Sequence, residues 1–141
     1  PFIAHDLPRT TVIPIAVSVK HAWSVTEEQQ VVKTIGDLMT PDSVLVVSSD
    51  FSHYLPVSEA DGMDEKTITA LQEKNFSAIR HADNADQSDC PQCLLLLARL
   101  ADQQKFYRFQ VLGHTNSARL LNDLSVLSTT SHFCLAWLRE L

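Results

Sequence analysis

Long apolar runs are missing from this sequence of 141 residues. The longest runs, such as residues 93–98, fall far short of the roughly 20 apolar residues that a membrane-spanning helix needs. No segment of the secretory-signal type, positively charged and then apolar, opens the chain. We therefore expect no membrane partner and a cytoplasmic location.

Clustered positive charge is missing as well. The 11 Lys and Arg residues are scattered along the chain, 17 Asp and Glu outnumber them, and the net charge is −6. Because a nucleic-acid surface needs a basic patch, we expect no nucleic-acid partner. The hydrophobic share of 45% and the charged share of 20% are ordinary globular values, and no internal repeat or linker is visible, so residues 1–141 are expected to form one domain.

Cysteine is scarce, with three residues, an odd number that does not resemble the disulfide framework of a small secreted domain. We expect reduced thiols. Cys90 and Cys93 form a CxxC motif at the start of a predicted helix, where the helix dipole favours a thiolate. Such a motif is redox-active or half of a zinc site, but no second ligand pair follows, and simple core burial of Cys93 is a further alternative.

Hydrophobic periodicity predicts a mixed α/β fold. The apolar, β-branched segments 11–19 and 43–49 are typical of buried strands, and segment 24–39 between them is typical of a helix. This order predicts a βαβ unit and a mostly parallel sheet flanked by helices. Further helices are predicted at 65–74, 75–80 and 90–105, strands at 106–112 and 126–138, and polar loops between residue 50 and the helix at 65 and at 113–123.

Polar side chains follow the predicted strand 43–49. Ser49, Asp50 and His53 lie in the loop at its carboxyl end, where open parallel sheets bind their ligands. A carboxylate beside an imidazole can fix the imidazole tautomer or transfer protons. The alternative is that Ser49 and Asp50 cap a turn while His53 is a surface residue. Their position at the strand end favours the functional interpretation.

A second polar loop contains Asn116 and Ser117 and can reach the same edge of the sheet. Asn and Ser in loops more often form turns than bind ligands. We therefore treat both residues as secondary candidates for ligand contact.

Taken together, these segments resemble the Memo family, called AmmeMemoRadiSam system protein B in prokaryotes. The resemblance rests on the string Val-Val-Ser-Ser-Asp-Phe-Ser-His-Tyr at 46–54, on Asp89-Cys90 at a helix start and on Asn116-Ser117 before the last strand. Pro1-Phe2 is similar to the end of the family's Glu-x-x-Leu-Pro-Phe segment. Since no initiator Met precedes it, we expect this chain to be the C-terminal part of a Memo-like domain, truncated at its N-terminus.

The resemblance implies a fold similar to the LigB-type subunit of class III extradiol dioxygenases, which are non-haem iron enzymes. It implies a metal, iron or copper, that is bound by two His from the N-terminal half and by one Cys, which matches Cys90. Asp50 and His53 match polar pocket residues that orient ligands or move protons. One thiolate alone falls short of the ligand count of a tight site, so this chain is expected to bind metal weakly or not at all.

Three functions remain open. The first is a metal-dependent oxidoreductase acting with O2, inactive in this piece alone; the second is a non-catalytic scaffold that binds a small molecule or a protein in the equivalent pocket; the third is a CxxC thiol redox protein. Pro91 stands where the family usually has Gly, and His132-Phe133 where it usually has Gly-Tyr, which leaves the substrate open. Exposed apolar edges predict self-association or pairing with a missing half.

Overall fold

A computed structural model describes residues 2–18, 20, 22–82 and 86–139. It confirms a mixed α/β fold, and none of the described helices is long and apolar enough to cross a membrane. The described elements are α1 (Phe2–Asp6), α2 (Val25–Leu38), β1 (His53–Leu55), α3 (Val57–Gln72), α4 (Phe76–Arg80), α5 (Pro91–Gln103), β2 (Arg108–Asn116), α6 (Ser117–Leu120) and β3 (Thr129–Leu138).

The sheet is small and antiparallel, with strand order β1-β3-β2. Its main ladder joins β2 to β3, from Arg108 opposite Leu138 to Asn116 opposite Ser131. The strands predicted near 106–112 and 126–138 are confirmed. The predicted loop at 113–123 is wrong at its start, since β2 continues to Asn116. Among the described residues no strands pair in parallel, so the predicted parallel sheet is not found.

The strands predicted at 11–19 and 43–49 are the main error. Residues 11–18 and 43–50 are irregular, and Val19 lies outside the described residues. A strand needs a neighbour for its backbone hydrogen bonds, and within the described chain neither segment has one. Segment 43–50 still alternates between half-buried and exposed residues, with Val44 78% and Val46 65% exposed. The βαβ prediction is therefore wrong for the described chain.

Helix α3 begins at Val57, directly after Pro56, and not at residue 65 as predicted. A proline suits the start of a helix because it has no N–H to leave unsatisfied. The first half of α3 was not predicted because polar residues occupy part of the helix face that is buried. That face consists of Ala60, Asp64, Thr67 and Leu71.

The core forms around α5, whose start at Pro91 confirms the predicted helix. Its apolar face packs against α3, α4 and the sheet through Leu94, Leu95 and Ala98. Helix α2 is confirmed too, with a capping box in which Ser24 Oγ accepts from Glu27 N–H at 3.2 Å and Ser24 N–H donates to Glu27 Oε2 at 2.8 Å. Phe51, Leu71 and Ile79 complete the buried cluster.

A buried carboxylate ties three helices together. Glu28 on α2 is only 1% exposed; its Oε1 accepts from Arg99 Nε of α5 at 2.6 Å, and its Oε2 pairs with Arg80 Nη2 of α4. The Arg99 guanidinium also lies 3.7 Å from the ring centroid of Phe76, a cation–π contact. These bonds fix the position of α5 relative to α2 and α4.

Replacing Glu28 by Gln should destabilise the fold, because two cations would lose their shared counter-charge. We expect a loss on the order of 3 kcal/mol in the free energy of unfolding, the scale for a buried pair that loses one partner. Urea denaturation measures it. Asp37→Asn, which removes the exposed pair with Lys33 on the same helix, is the matched control and should change stability by less than about 0.5 kcal/mol. Equal losses for both variants would contradict the role of Glu28.

Candidate functional site

Two segments far apart in the sequence are hydrogen-bonded to each other. Ser49 Oγ lies 2.8 Å from Ser88 Oγ and donates to Asp89 Oδ1 at 2.6 Å. The Asp50 N–H donates to the same carboxylate oxygen at 2.9 Å, and the Asp89 N–H donates to the Asp50 carbonyl at 3.0 Å. The segment at Ser49-Asp50 is thus hydrogen-bonded to the segment that leads into Cys90.

Short polar side chains make this junction because both segments lack regular backbone partners here. Ser88 is fully buried, and its Oγ also accepts the Cys90 N–H at 3.2 Å. Asp50 contributes its backbone, while the residue itself is exposed. The Asp50 carboxylate therefore lies on a segment whose backbone is hydrogen-bonded to Asp89, and it is open to solvent.

Cys90 occupies the N-cap position of α5 and is 7% exposed. It forms a disulfide with Cys93, so the expectation of reduced thiols is wrong for these two residues; Cys134 is a free, exposed thiol. The CxxC spacing at a helix start brings the two Cα atoms to 5.2 Å, within the range that a disulfide requires. A disulfide sulfur has no thiolate to give a metal, so a ligand role for Cys90 depends on reduction.

His53 starts β1 and is half-buried. Its Nδ1 lies 2.8 Å from the carbonyl oxygen of Phe51, and because a carbonyl only accepts, Nδ1 carries the proton. Nε2 of the neutral ring then keeps its lone pair. His53 Nδ1 donates to the Phe51 carbonyl, and this bond orients the ring, whereas the sequence predicted that role for Asp50.

Asn116 and Ser117 lie where β2 meets α6. The Asn116 Oδ1 caps α6 by accepting from Arg119 N–H at 3.0 Å, and Ser117 Oγ lies 2.9 Å from Thr129 Oγ1 and accepts from Thr130 N–H at 3.1 Å. The Ser117 hydroxyl is thus already hydrogen-bonded to the start of β3. Asn116 is fully buried and its Nδ2 has no hydrogen-bond partner among the described residues.

Asp61, Asp64 and His114 form a group that the sequence did not predict. One ligand atom from each lies within 4.8 Å of the others, so the group can hold a metal ion. The fully buried Asp64 accepts at Oδ2 from His114 Nε2 over 2.8 Å. The His114 ring stacks on Phe133 with centroids 4.2 Å apart and an angle of 4°.

This group was missed because both of its segments were interpreted as loops. Asp61 and Asp64 share a face of α3 only because that helix starts at Val57, and His114 is directed by β2. The available signal was the Asp-x-x-Asp spacing, which two carboxylates on one helix face produce.

Ser49 and Asp50 also line an open, mainly apolar cavity of about 950 Å³. It is lined mainly by residues 39–41 and 43–51, by side chains of α5 and by residues 132–138 of β3. Of the predicted site residues, Cys90, His53, Asn116 and Ser117 are not part of its lining. Ser49 and Asp50 are thus the only predicted site residues that line this cavity.

A protein-family model described as Memo-like protein matches residues 1–132 of the chain. No curated protein and no solved structure matches it.

Asp61 is paired with Arg119, whose two terminal nitrogens donate to its two carboxylate oxygens at 2.8 and 2.7 Å. The hydrogen bond from Arg119 lowers the pKa of Asp61; burial opposes this shift, while the charges of Arg119 and His114 add to it. The folded pKa therefore lies below the unfolded value. The pair stabilises the fold above that unfolded value and loses its effect as the pH falls through the folded pKa.

Asp61→Asn should accordingly lower the free energy of unfolding at pH 7 by less than about 1 kcal/mol, since the pair is exposed and screened by solvent. The gap to the wild type should narrow as the pH falls below about 4. Urea titrations at several pH values measure it, with Arg119→Gln as the matched variant that removes the same pair. A gap that stays constant down to the lowest pH would refute this assignment.

Proposed function

Because the chain belongs to the Memo-like family, we propose that it is the C-terminal part of a Memo-like α/β domain and carries one half of a metal-dependent, oxidoreductase-type site. The junction between Ser49-Asp50 and Ser88-Asp89 supports this proposal best. It holds the exposed Asp50 carboxylate on a backbone segment that is bonded to the one leading into Cys90. A sulfur and a carboxylate on adjoining, fixed segments suit one site.

The donor set around Cys90 does not complete a metal site. Tight transition-metal sites use three or four protein ligands. Here Cys90 offers a thiolate only after reduction, and Asp89 Oδ1 already accepts from Ser49 and from the Asp50 backbone. In this proposal the remaining ligands for iron or copper come from outside the described residues.

The chain's own residues have separate roles in this proposal. His53 accepts a proton at Nε2, which its bond to Phe51 leaves free, and Asp50 presents a negative charge to the ligand. Asn116 has a buried amide donor to offer, and Ser49 lies on the cavity wall. The ligand is a small molecule or a protein segment, in a cytoplasmic setting.

The Cys90 ligand role can be tested with Co²⁺ as a coloured probe for the chain reduced by a phosphine. A thiolate–Co²⁺ charge-transfer band should appear with weak affinity. Cys90→Ser should weaken binding about 10-fold or more and remove the band. Cys93→Ser is the matched control, because it frees Cys90 from the disulfide and should retain the band.

A band that vanishes only in Cys93→Ser, or no band in the reduced wild type, would contradict the ligand role of Cys90. In that case binding of a ligand in the 950 Å³ cavity without a metal becomes the better account of the site.

Thiol–disulfide exchange is the second candidate, and the Cys90–Cys93 disulfide favours it. Cys93 is half-buried while Cys90 is only 7% exposed, so an incoming thiolate reaches the Cys93 sulfur more readily. A new S–S bond then forms at Cys93 as the Cys90–Cys93 bond breaks, and Cys90 leaves with the electron pair. The N-terminus of α5 stabilises that thiolate.

Glutathione supplies a direct test of this exchange. The oxidised Cys134→Ser chain, which lacks the free thiol, is incubated with reduced glutathione, alkylated and mapped by mass spectrometry. We expect glutathione on Cys93 and the alkyl group on Cys90. The reverse distribution, or no exchange in the folded chain when the urea-unfolded chain exchanges, would rule out this direction of attack.

A further inference from the structure

One of the two carboxylate oxygens of the buried Asp64 has no hydrogen-bond partner in the part of the chain that the structure describes. The residue is 0% exposed on α3; Oδ2 is bonded to His114, whereas Oδ1 has no partner among the described residues. An unpartnered buried polar atom costs about 1–3 kcal/mol, and more when the group is charged. A hydrogen-bond donor or a cation next to Asp64 Oδ1 would remove this cost.

Two further ligands lie close to this carboxylate. Asp61 lies one helical turn before Asp64 on the same face of α3, and one ligand atom each of Asp61, Asp64 and His114 lies within 4.8 Å of the other two. Stacking on Phe133 holds the imidazole plane in place. The three donors come from α3 and β2, which the hydrogen bond between Asp64 and His114 joins.

The donor set selects the kind of ion. Two carboxylate oxygens and one imidazole nitrogen suit first-row divalent ions such as Zn²⁺ and Mn²⁺; Ca²⁺ and Mg²⁺ prefer all-oxygen sites, and soft ions prefer sulfur. We propose that Asp61, Asp64 and His114 bind one divalent transition-metal ion, at a site separate from Cys90. Three protein ligands leave the remaining positions to water, and the ion replaces the proton on His114 Nε2.

Arg119 opposes this binding. Its guanidinium engages both oxygens of Asp61, and its positive charge lies beside the ion's position. Removing Arg119 frees the Asp61 carboxylate and removes the repulsion, while the cap of α6 stays intact because Asn116 bonds the backbone N–H at that position. A site that binds metal should therefore improve when this arginine is lost.

Calorimetric titration of the oxidised Cys134→Ser chain with ZnCl2 tests the site. In this form Cys90 and Cys93 are joined in the disulfide and offer no thiolate, so the result is independent of the proposed function. We expect one Zn²⁺ per chain. Mg²⁺ should bind at least about 10-fold more weakly, since it disfavours imidazole.

The variants separate the site from general surface binding. Asp64→Asn and His114→Gln should each lower Zn²⁺ affinity at least about 10-fold, and Arg119→Gln should raise it several-fold. Asp123→Asn, an exposed aspartate bonded to Ser125, is the control and should leave affinity unchanged.

Circular dichroism shows which variants fold. If Asp64→Asn does not fold, His114→Gln and Arg119→Gln decide the question. Absence of stoichiometric Zn²⁺ binding in the folded parent chain, wild-type affinity in His114→Gln, or a loss of affinity in Arg119→Gln would each overturn the proposal. In those cases Asp64 and His114 form a hydrogen-bonded pair only.

Discussion

The carboxylate of Glu28 is the interaction on which the rest of the fold depends. It is buried on α2 and shared between Arg80 of α4 and Arg99 of α5. Burying a charge is costly unless it is paired, but here both arginines keep part of their surface in water, which lowers the desolvation cost. The pairing sets the position of α5, and the first residues of α5 carry Cys90 and Cys93. A buried interaction between α2, α4 and α5 thus helps to position the two cysteines at the start of α5.

Helices were predicted more accurately than strands for a physical reason. The apolar spacing in α2 and α5 indicates that one face of each helix is buried. A helix also makes its backbone hydrogen bonds within itself and needs no partner segment. The apolar segments 11–19 and 43–49 favour a strand by composition, but a strand also needs a partner, and neither segment has one among the described residues. Segment 43–50 keeps the alternating burial of a strand without its ladder. Sequence pattern therefore predicts the preference of a segment, while pairing is decided by its surroundings.

The candidate site shows the same difference between local patterns and contacts made by distant segments. The two segments that carry the family resemblance, 46–54 and Asp89-Cys90, are hydrogen-bonded to each other. Counting cysteines misled, since the odd number suggested free thiols, whereas the spacing of Cys90 and Cys93 on one helical turn decides their bonding. Asp64 and His114 lie fifty positions apart and come together only through packing of α3 on the sheet. No local pattern contains that contact.

Two groups of polar side chains differ in how they respond to oxidation. The first lies around Cys90 and the second consists of Asp61, Asp64 and His114. When Cys90 is joined to Cys93, the sulfur donor of the first group is withdrawn, and soft ions such as Cu⁺ lose the ligand they prefer. The carboxylates and imidazole of Asp61, Asp64 and His114 do not change with thiol redox state, so their preference for borderline divalent ions persists. The metal chemistry open to the chain should therefore change in kind between reducing and oxidising conditions. Cys90 is the N-cap residue of α5 and Cys93 lies in its first turn, so the change requires only the making or breaking of one S–S bond at that helix end.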